Sequence, residues 1–256
     1  MTYPSPIFGP IHSRRLGISL GINLLPADGK VCSFDCIYCE CGLNKDNIPH
    51  EKFPTRSTVY AALRQQLQKM KDEQTPPDVL TFAGNGEPTL HPDFAGIIDD
   101  TIRLRDEFFP NAKVSVLSNA TQILHQDVFD ALSRIDNNIL KLDTISPSYI
   151  SLLDRPVSKT YDVERLISQM AEFRGRCIIQ TMFLTGTVNG QSVDNTTDDY
   201  VQPWLEAIRR IAPSQVMIYT IDRKTPIDTL AKASHEQLDH IAAIIQEAGI
   251  QCSVAY

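Results

Sequence analysis

The chain has 256 residues, with 24 Lys and Arg against 31 Asp and Glu, for a formal net charge of −7. Apolar residues make up 42% and charged residues 21%, which excludes collagenous and low-complexity classes and leaves enough apolar mass for a sizeable core. The acidic balance disfavours nucleic acid as a partner. No run of about 18 apolar residues occurs, and residues 1–6 carry neither a basic nor an apolar signal region. A cytoplasmic protein with no membrane partner is the expectation.

Residues 1–57 nearly balance their charges, six Lys and Arg against five Asp and Glu, and hold four of the six cysteines. A first strand is expected over 18–25. From residue 58 the pattern alternates. Val59, Leu63, Leu67 and Met70 recur at helical spacing, and 78–82 reads as a short buried strand. Phe94, Ile98, Ile102 and Phe109 mark a helix, 113–117 a strand, and Val128, Leu132 and Ile135 a helix. A strand follows over 139–142, and Val163, Leu166, Ile167, Met170 and Phe173 mark a helix. Next come a strand over 177–184, a helix with Val201, Leu205, Ile208 and Ile211, and a strand over 215–221. The last helix carries Leu238, Ile241 and Ile245. It starts at the capping box Ser234-x-x-Gln237 and stops at Gly249, before a strand over 250–255. Strands alternating with helices predict a parallel sheet covered by helices. At 30 or more residues per unit, about 200 residues hold about six units. The predicted fold is α/β, a partial (β/α)6 barrel of TIM type, in one domain over 1–256. Residues 1–57 form an N-terminal segment with a cysteine loop, and 58–256 the repeats.

The sharpest signal is Cys32-Ser-Phe-Asp-Cys36-Ile-Tyr-Cys39, a C-x3-C-x2-C spacing with Tyr38 before the third thiol. Thiolates favour iron–sulfur clusters and zinc. Three cysteines this close cannot leave one side of a regular helix or strand, so they need a loop wrapped round a compact object. A [4Fe–4S] cube held by three of them keeps one iron corner open. The competing reading is a structural zinc site of Cys32, Cys36, Cys39 and Cys41, in a module without catalytic activity. Gly84-Asn85-Gly86-Glu87 follows a predicted strand, at the carboxyl edge where parallel α/β folds bind ligands. Ser118-Asn119 and Asp143 end the next two strands. His12, Arg14, Arg15, Arg155 and the pair Asp222-Arg223 are candidates for contact with a carboxylate or phosphate.

The cysteine spacing with Tyr38 in the aromatic slot resembles the radical S-adenosylmethionine (SAM) superfamily. Gly84–Glu87 resembles the glycine-glycine-glutamate motif of that superfamily, with an Asn inserted. Phe8-Gly-Pro-Ile-His12-Ser-Arg14-Arg15-Leu-Gly17, Gly84–Leu90 and Thr220-Ile-Asp222-Arg223 are similar to a subgroup of Fe–S oxidoreductases related to wyosine-type tRNA-modifying enzymes. The resemblance covers nearly the whole chain. It implies a [4Fe–4S] cluster on Cys32, Cys36 and Cys39 and SAM at the open iron. It places Tyr38, Gly84–Glu87, Ser118, Asn119 and Asp143 around SAM, with Glu87 at the methionine amino group. It also implies reductive cleavage of SAM to methionine and a 5′-deoxyadenosyl radical, with the electron supplied by an external flavodoxin- or ferredoxin-type donor. The substrate is expected to be an anionic small molecule or modified base. A wyosine-type RNA reaction is the alternative, although those enzymes carry cysteines upstream of the main motif and here Cys32 is the first.

Overall fold

The structure, a computed structural model, describes residues 2–13 and 16–256; Arg14 and Arg15, proposed above as substrate contacts, lie outside the described residues. The chain divides into two compact units. One comprises residues 1–32, 44–118 and 122–138, the other 33–43, 119–121 and 139–256.

The first unit contains β1 (Ile7–Ser13), β2 (Gly17–Ile22), α1 (Arg56–Asp72), β3 (Val79–Phe82), α2 (Phe94–Phe108), β4 (Lys113–Ser118) and α3 (Gln126–Leu132). Its strands follow the order β1-β2-β3-β4. β2, β3 and β4 are parallel, with Leu20 beside Leu80 and Leu80 beside Val114. β1 was not foreseen. It runs antiparallel along β2, with Ile7 opposite Ile22 and Ser13 opposite Gly17. It is an edge strand with four exposed residues, so it lacks the apolar alternation that marks a half-buried strand. α1 forms over the predicted apolar positions and buries Val59, Leu63, Leu67 and Met70 along one stripe. Thr55 caps it by accepting from the Thr58 N–H. Each of those four side chains contributes about 1.5–3 kcal/mol by area, an upper estimate. Phe82 meets Phe94 of α2 edge-on at 6.3 Å.

In the second unit β5 (Asn137–Lys141), from Ile139 onward, pairs with β6 (Ile178–Met182), then come β9 (Gln215–Tyr219) and β11 (Cys252–Ala255), all parallel. α4 (Pro147–Leu153), α5 (Val163–Ala171), α6 (Asp198–Ile211) and α7 (His235–Glu247) intervene. β7 (Leu184–Val188), β8 (Gln191–Ser192) and β10 (Leu230–Lys232) form a separate antiparallel sheet. The capping box forms as read: Ser234 Oγ accepts from the Gln237 N–H at 3.1 Å, and Gln237 Oε1 accepts from the Ser234 N–H at 2.8 Å. Gly249, at φ +77°, follows the last turn of α7. Trp204 of α6 packs edge-on to Phe183 and donates to the Leu142 carbonyl at 2.9 Å. Among the described residues no helix is long and apolar enough to cross a membrane.

Candidate cluster and cofactor site

In the first unit, the segment entering Cys32 runs beside the loop that follows β3. Val31 N–H donates to the Asn85 carbonyl at 2.9 Å, and Glu87 N–H donates to the Val31 carbonyl at 3.0 Å. A side chain on Gly86 would place its Cβ 1.9 Å from the Val31 carbonyl oxygen, and Gly86 sits at φ +133°. The glycine therefore admits the chain leading into Cys32.

Asn85 is also structural. Its side chain donates to the carbonyls of Tyr3 (2.9 Å) and Pro26 (2.8 Å) and accepts from the Tyr3 N–H (2.7 Å). Glu87, 2% exposed, is the carboxylate of this loop. Its Oε1 accepts from the Thr89 N–H at 3.1 Å, the Thr89 hydroxyl at 2.5 Å and the Ser118 hydroxyl at 2.9 Å. Its orientation is thus fixed by its neighbours.

His12 pairs with Ile18 near the start of β2, whereas Gly84–Glu87 follows the far end of the parallel β3. At about 3.3 Å per residue a strand length separates them.

In the second unit, residues 33–42 form a loop stapled along the segment after α4. Asp35 N–H donates to the Asp154 carbonyl at 3.0 Å, Ile37 N–H to the Leu153 carbonyl at 3.0 Å, and Val157 N–H to the Ser33 carbonyl at 2.9 Å. Arg155, at φ +49°, turns the chain so that Pro156 bridges to Phe34, and its own Nε donates to the Leu152 carbonyl at 3.3 Å. The Arg155-Pro156 pair thus braces the cysteine loop through its backbone.

Asn119 reaches the same loop. Its Nδ2 donates to Ser33 Oγ at 2.9 Å and its Oδ1 accepts from the Thr121 N–H at 3.1 Å. Asn119 therefore holds the residue after Cys32. The loop then tightens: Cys39 N–H donates to the Cys36 carbonyl and Gly42 N–H to the Cys39 carbonyl, at 3.2 and 2.9 Å.

Asp143, just beyond β5, is buried among donors. It accepts from the Tyr38 hydroxyl and from the Met182 N–H at 2.9 Å, and forms an ion pair with Lys141 Nζ at 3.3 Å. Burial, reinforced by Asp143, pushes the Tyr38 phenol well above its ordinary value, so it stays a neutral donor. Lys141 was not singled out by the sequence. Burial alone would lower its pKa, but Asp143 and Asp154 hold it well above the usual lysine value. Burial, offset by Lys141 and reinforced by Asp143, pushes Asp154 up to about 7. Asp222 and Arg223 are exposed, and Arg223 Nη1 donates to Glu40 at 2.7 Å, on the residue after Cys39.

All six cysteines are free thiols. Cys177 and Cys252 are remote from the loop, and burial pushes their thiols up to about 12 and about 11, which makes both poor nucleophiles. Among the described residues no group of three or more His, Cys, Asp or Glu side chains is gathered round one point. The donor set does suit an iron–sulfur cluster: free thiols on a loop with its backbone stapled, one of them, Cys36, facing an ammonium.

Comparison with known proteins places the chain in a family. Residues 28–200 match the Radical SAM superfamily, and the chain belongs to it. It is an enzyme of that class, and its cofactors are a [4Fe–4S] cluster and SAM. It is 31% identical over 232 residues to a UPF0026 protein of Synechocystis, covering 88% of this chain and 78% of that relative. A radical SAM methyltransferase from Sphaerobacter thermophilus superposes with a TM-score of 0.69 at 15% identity, over 93% of this chain and 66% of that one. A TYW1 structure with a lysine-pyruvate adduct bound gives 0.63 at 15% identity, over 90% of this chain and 73% of that one. These likenesses show the fold, the partial barrel expected from the alternation of strands and helices.

Proposed function

We propose that the protein cleaves SAM reductively and uses the resulting radical to take a hydrogen atom from an anionic small molecule or modified base. Cys32, Cys36 and Cys39 hold the cluster, and the loop of Gly84–Glu87 with Ser118 holds the methionine end of SAM. When bound, the cluster supplies the one electron that breaks the sulfonium C–S bond. The observation that carries this reading is the C-x3-C-x2-C loop with its backbone stapled to neighbouring segments and Cys36 set against a buried ammonium.

The protein's own residues then have distinct tasks. Glu87, its Oε1 fixed by Thr89 and Ser118, is a carboxylate suited to the methionine ammonium. Tyr38 and Asp143 tie the cluster loop to the end of β5. Arg223 stands beside Glu40 in an exposed pair worth only about 0–1 kcal/mol, weak enough to be exchanged for an anionic substrate. The electron comes from a flavodoxin- or ferredoxin-type donor.

The test is anaerobic incubation of the reconstituted protein with SAM and dithionite, which should release 5′-deoxyadenosine, slowly without substrate. Glu87→Ala should keep its iron but bind SAM about tenfold more weakly or worse, in line with the ~1.5–3 kcal/mol of a hydrogen bond to a charged group. Equal affinity by anaerobic calorimetry would remove Glu87 from the SAM site. Arg223→Ala should lower substrate turnover and spare the uncoupled release of 5′-deoxyadenosine. An equal loss of both would instead make Arg223 a support of the cluster loop.

A further inference from the structure

β5 ends with a lysine in an otherwise apolar run, Ile139-Leu140-Lys141, and the Lys141 side chain is only 14% exposed. Its ammonium lies 2.6 Å from Asp154, 3.3 Å from Asp143 and 2.9 Å from Cys36 Sγ. The rings of Phe34 and Tyr38 lie 4.9 Å away. Three of these five neighbours, Phe34, Cys36 and Tyr38, belong to the cysteine loop. An ammonium has three donor hydrogens. Asp154 accepts one of them and the Cys36 sulfur another, while Asp143 faces the charge as an ion-pair partner. A buried charge costs several kcal/mol unless it is paired, and one carboxylate would suffice for pairing. The contact with Cys36 is therefore additional to what holds the lysine in place.

We propose that Lys141 is a positioning residue for the cluster: it donates a hydrogen bond to the Cys36 sulfur, fixes that ligand and raises the reduction potential of the cluster. The proposal rests on Cys36 being a cluster ligand, as read above. Reduction adds an electron to the iron–sulfur core and negative charge to its thiolates. Donors and positive charge at a ligand sulfur favour the reduced state, more so away from water.

A redox titration of the anaerobically reconstituted full chain with dithionite and dye mediators, read by electron paramagnetic resonance, tests it. Lys141→Met leaves both carboxylates without a counter-charge. The double variant Lys141→Met/Asp154→Asn restores the wild-type local net charge but has no donor to sulfur. At the wild-type midpoint, the ratio of reduced to oxidised cluster should fall about tenfold in Lys141→Met, a one-electron shift of about 59 mV to the negative. The double variant should shift in the same direction by less. A wild-type ratio in either variant, with its iron complete, overturns the proposal. If Lys141→Met does not fold, the double variant decides alone. Cys36→Ala separates the two readings: a full complement of iron in that variant overturns Cys36 as a ligand, whatever the potentials show.

Discussion

Cys32→Ala, Cys36→Ala and Cys39→Ala should each come out of anaerobic reconstitution colourless, while wild type takes up about four iron and four sulfide per chain, as one cube requires. A cube with three protein ligands cannot lose one without exposing a second iron to solvent, so the expected effect is loss of the cluster, not a partial decrease. Cys41→Ala should keep the full complement. Cys41 is buried and lies outside the C-x3-C-x2-C spacing. The turn around it is made by backbone, with Gly42 donating to the Cys39 carbonyl. Near-infrared and visible absorbance with iron and sulfide assays reads the result. Stoichiometric zinc without iron in anaerobically purified wild type would contradict the cluster assignment, and a colourless Cys41→Ala would make that residue a ligand.

The strand–helix alternation was legible because it rests on apolar periodicity, which the sheet and helices use directly. The boundaries moved where side chains interfere. The first parallel strand stops at Ile22, not residue 25, because Asn23 Oδ1 takes the Leu25 N–H. β1 escaped notice because an edge strand has no buried face to mark it. The hairpin of β7 and β8 was legible in principle: Asn189-Gly190, at φ +50° and +78°, is the dipeptide that favours such a turn. α4, seven residues beginning at Pro147, is too short for periodicity to show.

At the site, the spacing marked out the cysteines and Tyr38 as one loop. The polar strand-end residues were visible as special, but the contacts they make within the chain were not. Asn85, Asn119, Asp143 and Arg155 each brace a segment of the cysteine loop or the chain leading into it, through contacts dozens of residues away in sequence. A polar residue beside a ligand loop reads the same whether it touches the ligand or holds the loop. Lys141 was missed for the opposite reason. Within the strand expected over 139–142 it carried no signal of its own, and only the fold brings Asp154 and Cys36 to it. Holding thiols to one geometry takes many such contacts, since a ten-residue loop with few helical bonds has little order of its own.

Gly86→Ala should be the most damaging single change outside the cysteines. Alanine would have to hold φ +133°, where a Cβ costs about 1–3 kcal/mol in strain. That Cβ would also lie 1.9 Å from the Val31 carbonyl oxygen, a backbone atom that cannot rotate away. Relief requires parting the two segments, which breaks the bonds from Val31 N–H to Asn85 and from Glu87 N–H to Val31. At about 0.5–1.5 kcal/mol each, the total with the strain reaches about 2–6 kcal/mol. That is a large share of the 5–15 kcal/mol by which a protein of this kind is stable. Gly190→Ala is the control: it also has a positive φ, +78°, but nothing lies within 4 Å of the added carbon, so about 1 kcal/mol is expected. Denaturation midpoints of the two variants, with cluster uptake measured in parallel, separate clash from backbone strain. Gly86→Ala should lose both stability and cluster, because the chain it displaces ends at Cys32. Equal midpoints for the two variants would mean that the Val31 segment yields without cost, and that the approach of Gly86 to it does not hold the first ligand in place.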